Sequence, residues 1–256
     1  MAPAAPGPDA DAARRARRAL EALLAEEPSL SAALPSGFGD AVERYVALLL
    51  EANRRVNLTR VVEPDDVARL HLLDALAALP LVDAAGADRV IDLGSGGGVP
   101  AIPLALARPD IEWVMVDSVG KKSTILAEFV AALGIGNASV LAERAEALGR
   151  DAAHRERYHL ATARACAPLP VLAELALPLV RIGGALLAWK GPLTDGDEEV
   201  RHGRLAIRQL GGGRLRIEPA GPATLGGHTF VVVPKQRATP TRFPRRPGEP
   251  SRRPLG

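Results

Sequence analysis

Residues 90–100 read VIDLGSGGGVP, with glycine at 94, 96, 97 and 98. Two β-branched residues and an acid precede the run, and an apolar stretch from Pro100 follows it. A short strand that breaks into glycines and then starts a helix forms a turn at the carboxyl edge of a sheet, where open α/β folds bind ligands. Glycine permits positive φ and carries no Cβ to hold a ligand off the main chain. The start of the next helix offers unpaired N–H groups and the positive end of a dipole. A tight turn without a ligand does not need four glycines, which lose the most chain entropy on folding.

The frame of the run selects among ligands. A dinucleotide turn requires G-x-G-x-x-G, and here Val99 stands at the third glycine. The frame Asp92-x-Gly94-x-Gly96-x-Gly98 fits without exception. Asp117 closes the apolar segment VMVD, 21 residues after Gly96. A carboxylate there can accept from two hydroxyls at once, or cap the helix that follows.

The rest of the chain supports an α/β fold. Residues 1–9 are expected to be disordered and 10–85 to form an N-terminal helical cap, with helices near 10–27, 39–52 and 64–79. From 86 to 234 short apolar strands alternate with helices: strands at 89–93, 112–118, 138–143, 158–164 and 185–190, with the helix beginning at Leu169 running to a glycine stop at 183. Two closing strands, 213–218 and 228–234, follow a helix at 194–210 and suggest an antiparallel hairpin at the edge. The expectation is a mostly parallel seven-stranded sheet covered on both faces. Residues 235–256 form a basic Pro/Arg-rich tail. From 234 onward there are seven Lys/Arg against one Glu, and six prolines in 23 residues, in a chain whose net charge is only +2. Such a segment is expected to be extended, with Arg242, Arg245, Arg246, Arg252 and Arg253 open to phosphates and Phe243 free to stack. Length and a 47% hydrophobic composition allow one sizeable core. No apolar run approaches a membrane span and no signal-peptide core precedes the first charges, so a soluble cytoplasmic protein is expected. The lone Cys166 excludes an internal disulfide and a thiol-based zinc site, and no metal is expected.

The D-x-G-x-G-x-G turn followed by Asp117 resembles motif I of the class I S-adenosylmethionine-dependent methyltransferases, whose fold is a Rossmann-like sheet. Further stretches are similar to one family within that class, the bacterial 16S ribosomal RNA guanine-N7 methyltransferases of the RsmG/GidB family. They are NRRVNLTR (53–60), HLLDAL (71–76), DLGSGGGVPAIPLALARP (92–109), DSVGKKSTIL (117–126), ERAEALG (143–149), ARACAPLPVLAELALPLV (163–180), WKG (189–191) and TPTRFPRRPGEPSRRPL (239–255). Departures are Ala75 for a usual Ser, Leu70 for a basic residue and Phe243 for Tyr.

The resemblance implies S-adenosylmethionine as cofactor, contacted by Gly94, Gly96, Val99, Asp117, Ala145, Glu146 and Arg164. It implies methylation of N7 of a guanine, position 527 in the usual numbering, in the 530 loop of 16S ribosomal RNA. It implies naked RNA or a 30S-subunit assembly intermediate as partner, and a monomer. Asn57, Arg60, His71, Arg242, Arg245 and Arg246 are the expected RNA contacts. Neutral guanine N7 carries an available lone pair, so no catalytic acid or base is assigned. Two alternatives stay open: methylation of another RNA base, such as a pyrimidine C5 through Cys166, and a non-catalytic RNA-binding protein.

Overall fold

The computed structural model describes residues 8–256. The expectation of disorder for residues 1–9 therefore lies outside the described residues up to position 7, whereas Pro8 and Asp9 already belong to a helix. Strands β1 (Arg89–Leu93), β2 (Glu112–Val116), β3 (Ala138–Leu141), β4 (Tyr158–Arg164), β5 (Val180–Lys190), β6 (Arg216–Pro219) and β7 (Thr229–Pro234) form one sheet. Its order is β3-β2-β1-β4-β5-β7-β6. The first five strands are parallel, and β7 runs antiparallel to both β5 and β6. After β1 the chain moves outward to β2 and β3, then returns to place β4 on the other side of β1. That reversal opens a crevice at the carboxyl ends of β1 and β4.

Helices α1 (Pro8–Ala25), α2 (Pro28–Ala32) and α3 (Phe38–Asn53) precede the sheet. The helix expected over 64–79 is broken into α4 (Pro64–Asp66), a π-helical turn Val67–Leu73 and α5 (Asp74–Leu76), with α6 (Leu79–Ala84) after it. The wider π turn carries Leu70 and His71, and such turns recur at functional sites. Helices α7 (Ala101–Ala107), α8 (Gly120–Leu133), α9 (Ala145–Leu148), α10 (Leu169–Ala176) and α11 (Glu198–Gln209) cover the sheet, and α12 (Glu249–Arg252) lies near the end of the chain.

One helix is shorter than the sequence reading. The chain leaves α10 at Ala176 and is already in β5 at Val180. Pro178 supplies no N–H, and the branched Val180 and Ile182 favour a strand. Gly183 is no helix stop, since it and Gly184 lie within β5, and a Cβ on Gly184 would lie 2.3 Å from the His159 carbonyl oxygen, so glycine lets β5 pass close against β4.

Period-two alternation divides the sheet between two cores. Val90, Trp113, Met115, Leu160 and Leu187 face Val42, Tyr45, Val46, Leu72, Leu76 and Ile102. Ile91, Val114, Leu186 and Val231 face Leu169, Leu172, Ile207 and Phe243. The first core is continuous from α1 through the sheet, so the amino-terminal helices share their apolar interior with the strands.

The carboxy-terminal segment is not extended and free. Phe243 is 4% exposed and belongs to the second core. Glu174 of α10 is fully buried, and both its carboxylate oxygens accept from the Arg245 side chain (Nε–Oε1 2.9 Å, Nη2–Oε2 2.6 Å). The Arg155 guanidinium donates to the carbonyls of Gly149, Thr239 and Phe243, and Arg150 donates to that of Pro244. Burying an unpaired carboxylate in an apolar helix is costly, so the arginine draws the segment down.

Candidate active site

The four glycines do two different jobs. Gly94 and Gly96 have φ of 71° and 51°. A Cβ on Gly96 would meet nothing nearer than 3.8 Å, so backbone conformation and open space account for it. A Cβ on Gly94 would lie 3.0 Å from Cys166 Sγ. Gly97 and Gly98 face inward instead, where a Cβ would lie 2.9 Å from Leu49 Cδ1 and 2.5 Å from Ile102 Cδ1 respectively. They let the turn seat against α3 and α7. The Tyr45 hydroxyl of α3 donates to the Gly97 carbonyl (2.8 Å), tying the cap to the turn.

Asp92, the first residue of the motif, is not in the cleft. It is 1% exposed, accepts from the Thr162 hydroxyl on β4 (2.7 Å), and leaves Oδ2 without a protein partner among the described residues. Burial pushes its pKa up to about 6, against the pull of hydrogen bonds from Ser95 and Thr162. Asp117 directly follows β2, and its Oδ1 accepts from Val119 N (2.8 Å) as expected of a cap, while Oδ2 accepts from Gly96 N (3.0 Å), a main-chain donor rather than a hydroxyl. The second contact locks the glycine turn to the neighbouring strand.

Two cavities meet at Gly94 and Asp117. One, about 180 Å³, is bounded by Gly96, Gly97, Val99, Leu58, Thr59, Lys122 and Arg164. The other, about 200 Å³, is bounded by Ala145, Glu146, Cys166 and Ser251. A nucleoside with a charged extension fits this shape. Its ribose would lie beside Asp117 and its base beside Ala145 and Glu146, with the extension over the bare turn at Gly94 and Gly96. All seven expected cofactor residues thus border one cleft. Glu146 is not a free reader of a base edge, however. It is buried and accepts from Gly248 N (2.8 Å) of the carboxy-terminal segment.

A third cavity of about 390 Å³ opens beside the first and shares His71, Arg164 and Ala165 with it. Val61, Leu70, Asp74, Trp189, Lys190, Gly191 and His228 complete its walls. Arg164 at the end of β4 donates to the Leu70 carbonyl (2.5 Å), Asp74 Oδ2 (2.9 Å) and His71 Nδ1 (2.9 Å). His228 donates to the other Asp74 oxygen (2.9 Å). Since Arg164 donates to Nδ1, the neutral imidazole carries its proton on Nε2 and donates to the Thr59 hydroxyl (2.8 Å). Burial, then the Arg164 charge, lowers the His71 pKa to about 4. His71 is 3% exposed with both ring nitrogens occupied, which removes it from the expected RNA contacts. It braces Arg164 instead. Ala165, directly after Arg164, holds φ at 50°, a conformation costly for a residue with a Cβ, at the junction of the two cavities.

The other expected contacts divide similarly. Asn57, Arg60, Arg242 and Arg246 are exposed. Arg245 is bound to Glu174 and Phe243 is in the core, so neither faces outward. Asn53, which the sequence reading passed over, organises the NRRVNLTR loop: its Oδ1 accepts from Leu58 N and Thr59 N, and its Nδ2 donates to the Thr59 carbonyl. Glu174 was also missed. Its signal was a lone acid within PVLAELALPLV, which demands a basic partner. Cys166 is exposed, but desolvation of the sulfur and the carboxylates of Asp92 and Asp117 push the thiol up to about 11, unlike an activated nucleophile.

The sheet order, the glycine turn and Asp117 define a protein of the class I methyltransferase fold. Solved structures with this arrangement include an O-methyltransferase from Bacillus cereus in complex with SAH (TM-score 0.50, 18% identity, 72% of this chain and 87% of that one). Another is the CMeT domain of the citrinin polyketide synthase (TM-score 0.52, 13% identity, 85% and 69%). The family GidB, rRNA small subunit methyltransferase G, matches residues 39–212, and the chain belongs to it. Relatives named ribosomal RNA small subunit methyltransferase G include that of Deinococcus radiodurans, 43% identical over 83% of each chain. That of Roseiflexus castenholzii is 44% identical over 83% of this chain and 89% of its own.

Proposed function

We propose that this protein transfers a methyl group from S-adenosylmethionine to N7 of a guanine in 16S ribosomal RNA, at position 527 in the usual numbering. Membership in the family supports the reaction class. The observation that carries the reading is the joining of the three cavities: a nucleoside-shaped cleft over Gly94 and Asp117 that opens, past Arg164 and Ala165, into a separate chamber at the ends of β4 and β5.

The cofactor supplies a methyl carbon on a cationic sulfur. The chain's part is to hold that carbon in line with a nucleophile. Gly94 and Gly96 would let the sulfur-bearing portion lie against the main chain, Asp117 would accept from the ribose hydroxyls on its remaining lone pairs, and Ala145 and Glu146 would bound the base. The guanine enters the chamber walled by Val61, Leu70, Gly191 and His228. Its N7 lone pair forms the new N–C bond as the S–C bond breaks, and the positive charge passes from sulfur to the purine. No proton leaves N7, so the chain needs no general base. Arg164, braced by Asp74, His71 and the Leu70 carbonyl, fixes the wall between donor and acceptor, and positioning supplies the rate. Asn57 and Arg60, in the loop that also carries Leu58 and Thr59 to the cleft, are exposed and available for phosphates.

The test is to incubate the protein with methyl-labelled cofactor and either 16S RNA or 30S subunits, and map the label by nuclease digestion and mass spectrometry. Label on guanine N7 in the 530 loop is expected. Label on a pyrimidine C5 that disappears with Cys166→Ala, or no transfer to either substrate, overturns the reading.

A further inference from the structure

A cavity larger than the three described above lies away from the cleft. It is a groove of about 590 Å³ on the outer side of α11, lined by Arg201, Arg204, Leu205 and Arg208 from that helix. The facing wall is Gly212–Leu215 with Gln236 and Arg237. Five of the ten lining residues are arginine and none is acidic. Positions 201, 204 and 208 recur at the helical repeat, so their side chains share one face of α11. Arg204 pairs with Asp195 outside the groove (2.5 Å). Among the described residues, Arg201, Arg208, Arg214 and Arg237 have no carboxylate within 4.0 Å.

Like charges gathered in a concavity repel one another and weaken the fold, so neighbours of opposite sign are the usual arrangement. Here the chain supplies one carboxylate for five guanidinium groups. The planar forks suit phosphate oxygens, and exposed Leu205 between them offers an apolar contact for a sugar. We propose that the α11 groove is a second RNA-binding site, which grips the phosphate backbone of the substrate RNA beyond the target loop. The proposal rests on the reading of the protein as an RNA methyltransferase.

Position sharpens it. The groove sits where β7 ends, since Gly212 bridges to Lys235 and the Lys235 carbonyl accepts from Gly183 N at the beginning of β5. The glycine turn lies at the opposite edge of the sheet. A six-residue strand separates the two edges by about 20 Å. RNA seated at the cleft has to extend past the target loop by at least that distance to reach the groove as well.

The experiment compares the full chain with Arg201→Gln/Arg208→Gln/Arg214→Gln. All three side chains are exposed and unpaired, so the fold tolerates the change. Binding of full-length 16S RNA and of a short 530-loop hairpin is measured across a salt series. For the long RNA, the triple variant should lose at least tenfold in affinity, and the slope of log K against log salt should fall by about 2 to 3, as expected for three lost phosphate contacts. Affinity for the hairpin and for S-adenosylhomocysteine should not change. The corresponding triple lysine variant should retain the slope. Equal slopes for wild type and the glutamine variant on long RNA overturn the groove, whatever the methylation result. A wild type that binds long RNA with a steep slope, lost in the variant, yet methylates no ribosomal RNA, supports the groove and refutes the assigned reaction. Tight, groove-dependent binding of an acidic protein together with unchanged RNA binding assigns the surface to that partner and overturns the proposal.

Discussion

The glycine turn and the carboxy-terminal segment border the same cleft from opposite sides, and they are built on opposite principles. The turn works by subtraction. Two missing side chains leave the main chain bare toward the cleft, and two more let α3 and α7 seat behind it. The carboxy-terminal segment works by satisfaction of charge. A buried carboxylate, Glu174, pins Arg245, and from there Gly248 reaches Glu146 and Ser251 reaches the cleft wall. The first device depends on local sequence, while the second joins residues 71 positions apart. Substitution should therefore damage them differently: the turn in binding, the segment first in stability and then in binding.

The largest effect tests that division. Glu174→Ala leaves the Arg245 guanidinium without its partner and should cost about 3–5 kcal/mol in urea unfolding. If the double change Glu174→Leu/Arg245→Met is no more stable than the single one, the pair is not what holds the segment. Gly94→Val should weaken S-adenosylhomocysteine binding by at least about 100-fold in calorimetry, since a branched side chain at positive φ fills the approach and meets Cys166, and the strained backbone should cost a smaller ~1–3 kcal/mol of stability. Unchanged affinity would remove the turn from the site. Deleting residues 239–256 should lower cofactor affinity by about tenfold, ~1.4 kcal/mol, by freeing Glu146 and opening the wall at Ser251. Retained affinity in a folded truncated chain reduces the segment to a clamp on α10.

Two smaller effects concern titration and the thiol. His71, lowered to about 4 from 6.5, stays neutral in the folded protein while the unfolded chain takes up a proton, so its contribution weakens as pH falls through that window. Asp92, raised from 3.8 to about 6, has the opposite sign: the folded state holds the extra proton and gains as pH falls. The two nearly cancel in the wild type. Asp92→Asn should unmask the histidine, giving stability that rises with pH between 4 and 6.5 by up to about 1.4 kcal/mol per pH unit. A flat profile in that variant would mean that His71 titrates normally. Cys166→Ala should leave the methyl transfer rate unchanged, because a thiol near 11 is protonated at neutral pH.

What could be read from the sequence follows the same division. Strands β1 to β4, the edge pair β6 and β7, helices α1, α3 and α11, and the residues bordering the cleft are encoded locally, by apolar period and turn chemistry. The misreadings involve distant partners. Glu174 looked like one polar residue in a helix, and Arg245 like a free cation, until each supplied the other's missing charge. His71 looked accessible because a helical repeat cannot show that Arg164, 93 positions later, arrives beside it. The early start of β5 depends on how closely Gly184 lets it pass His159.

Because α3 hands a hydroxyl to Gly97 and lends Leu49 to the back of the same turn, the amino-terminal helices cannot act as a detachable accessory. A shortened chain beginning at residue 86 would keep α7 and α8 on that side of the sheet but bare the apolar surface that α1 and α3 cover, and loosen the glycine turn at the same stroke. The helical layer before the sheet is therefore part of the site's foundation, not an appendage.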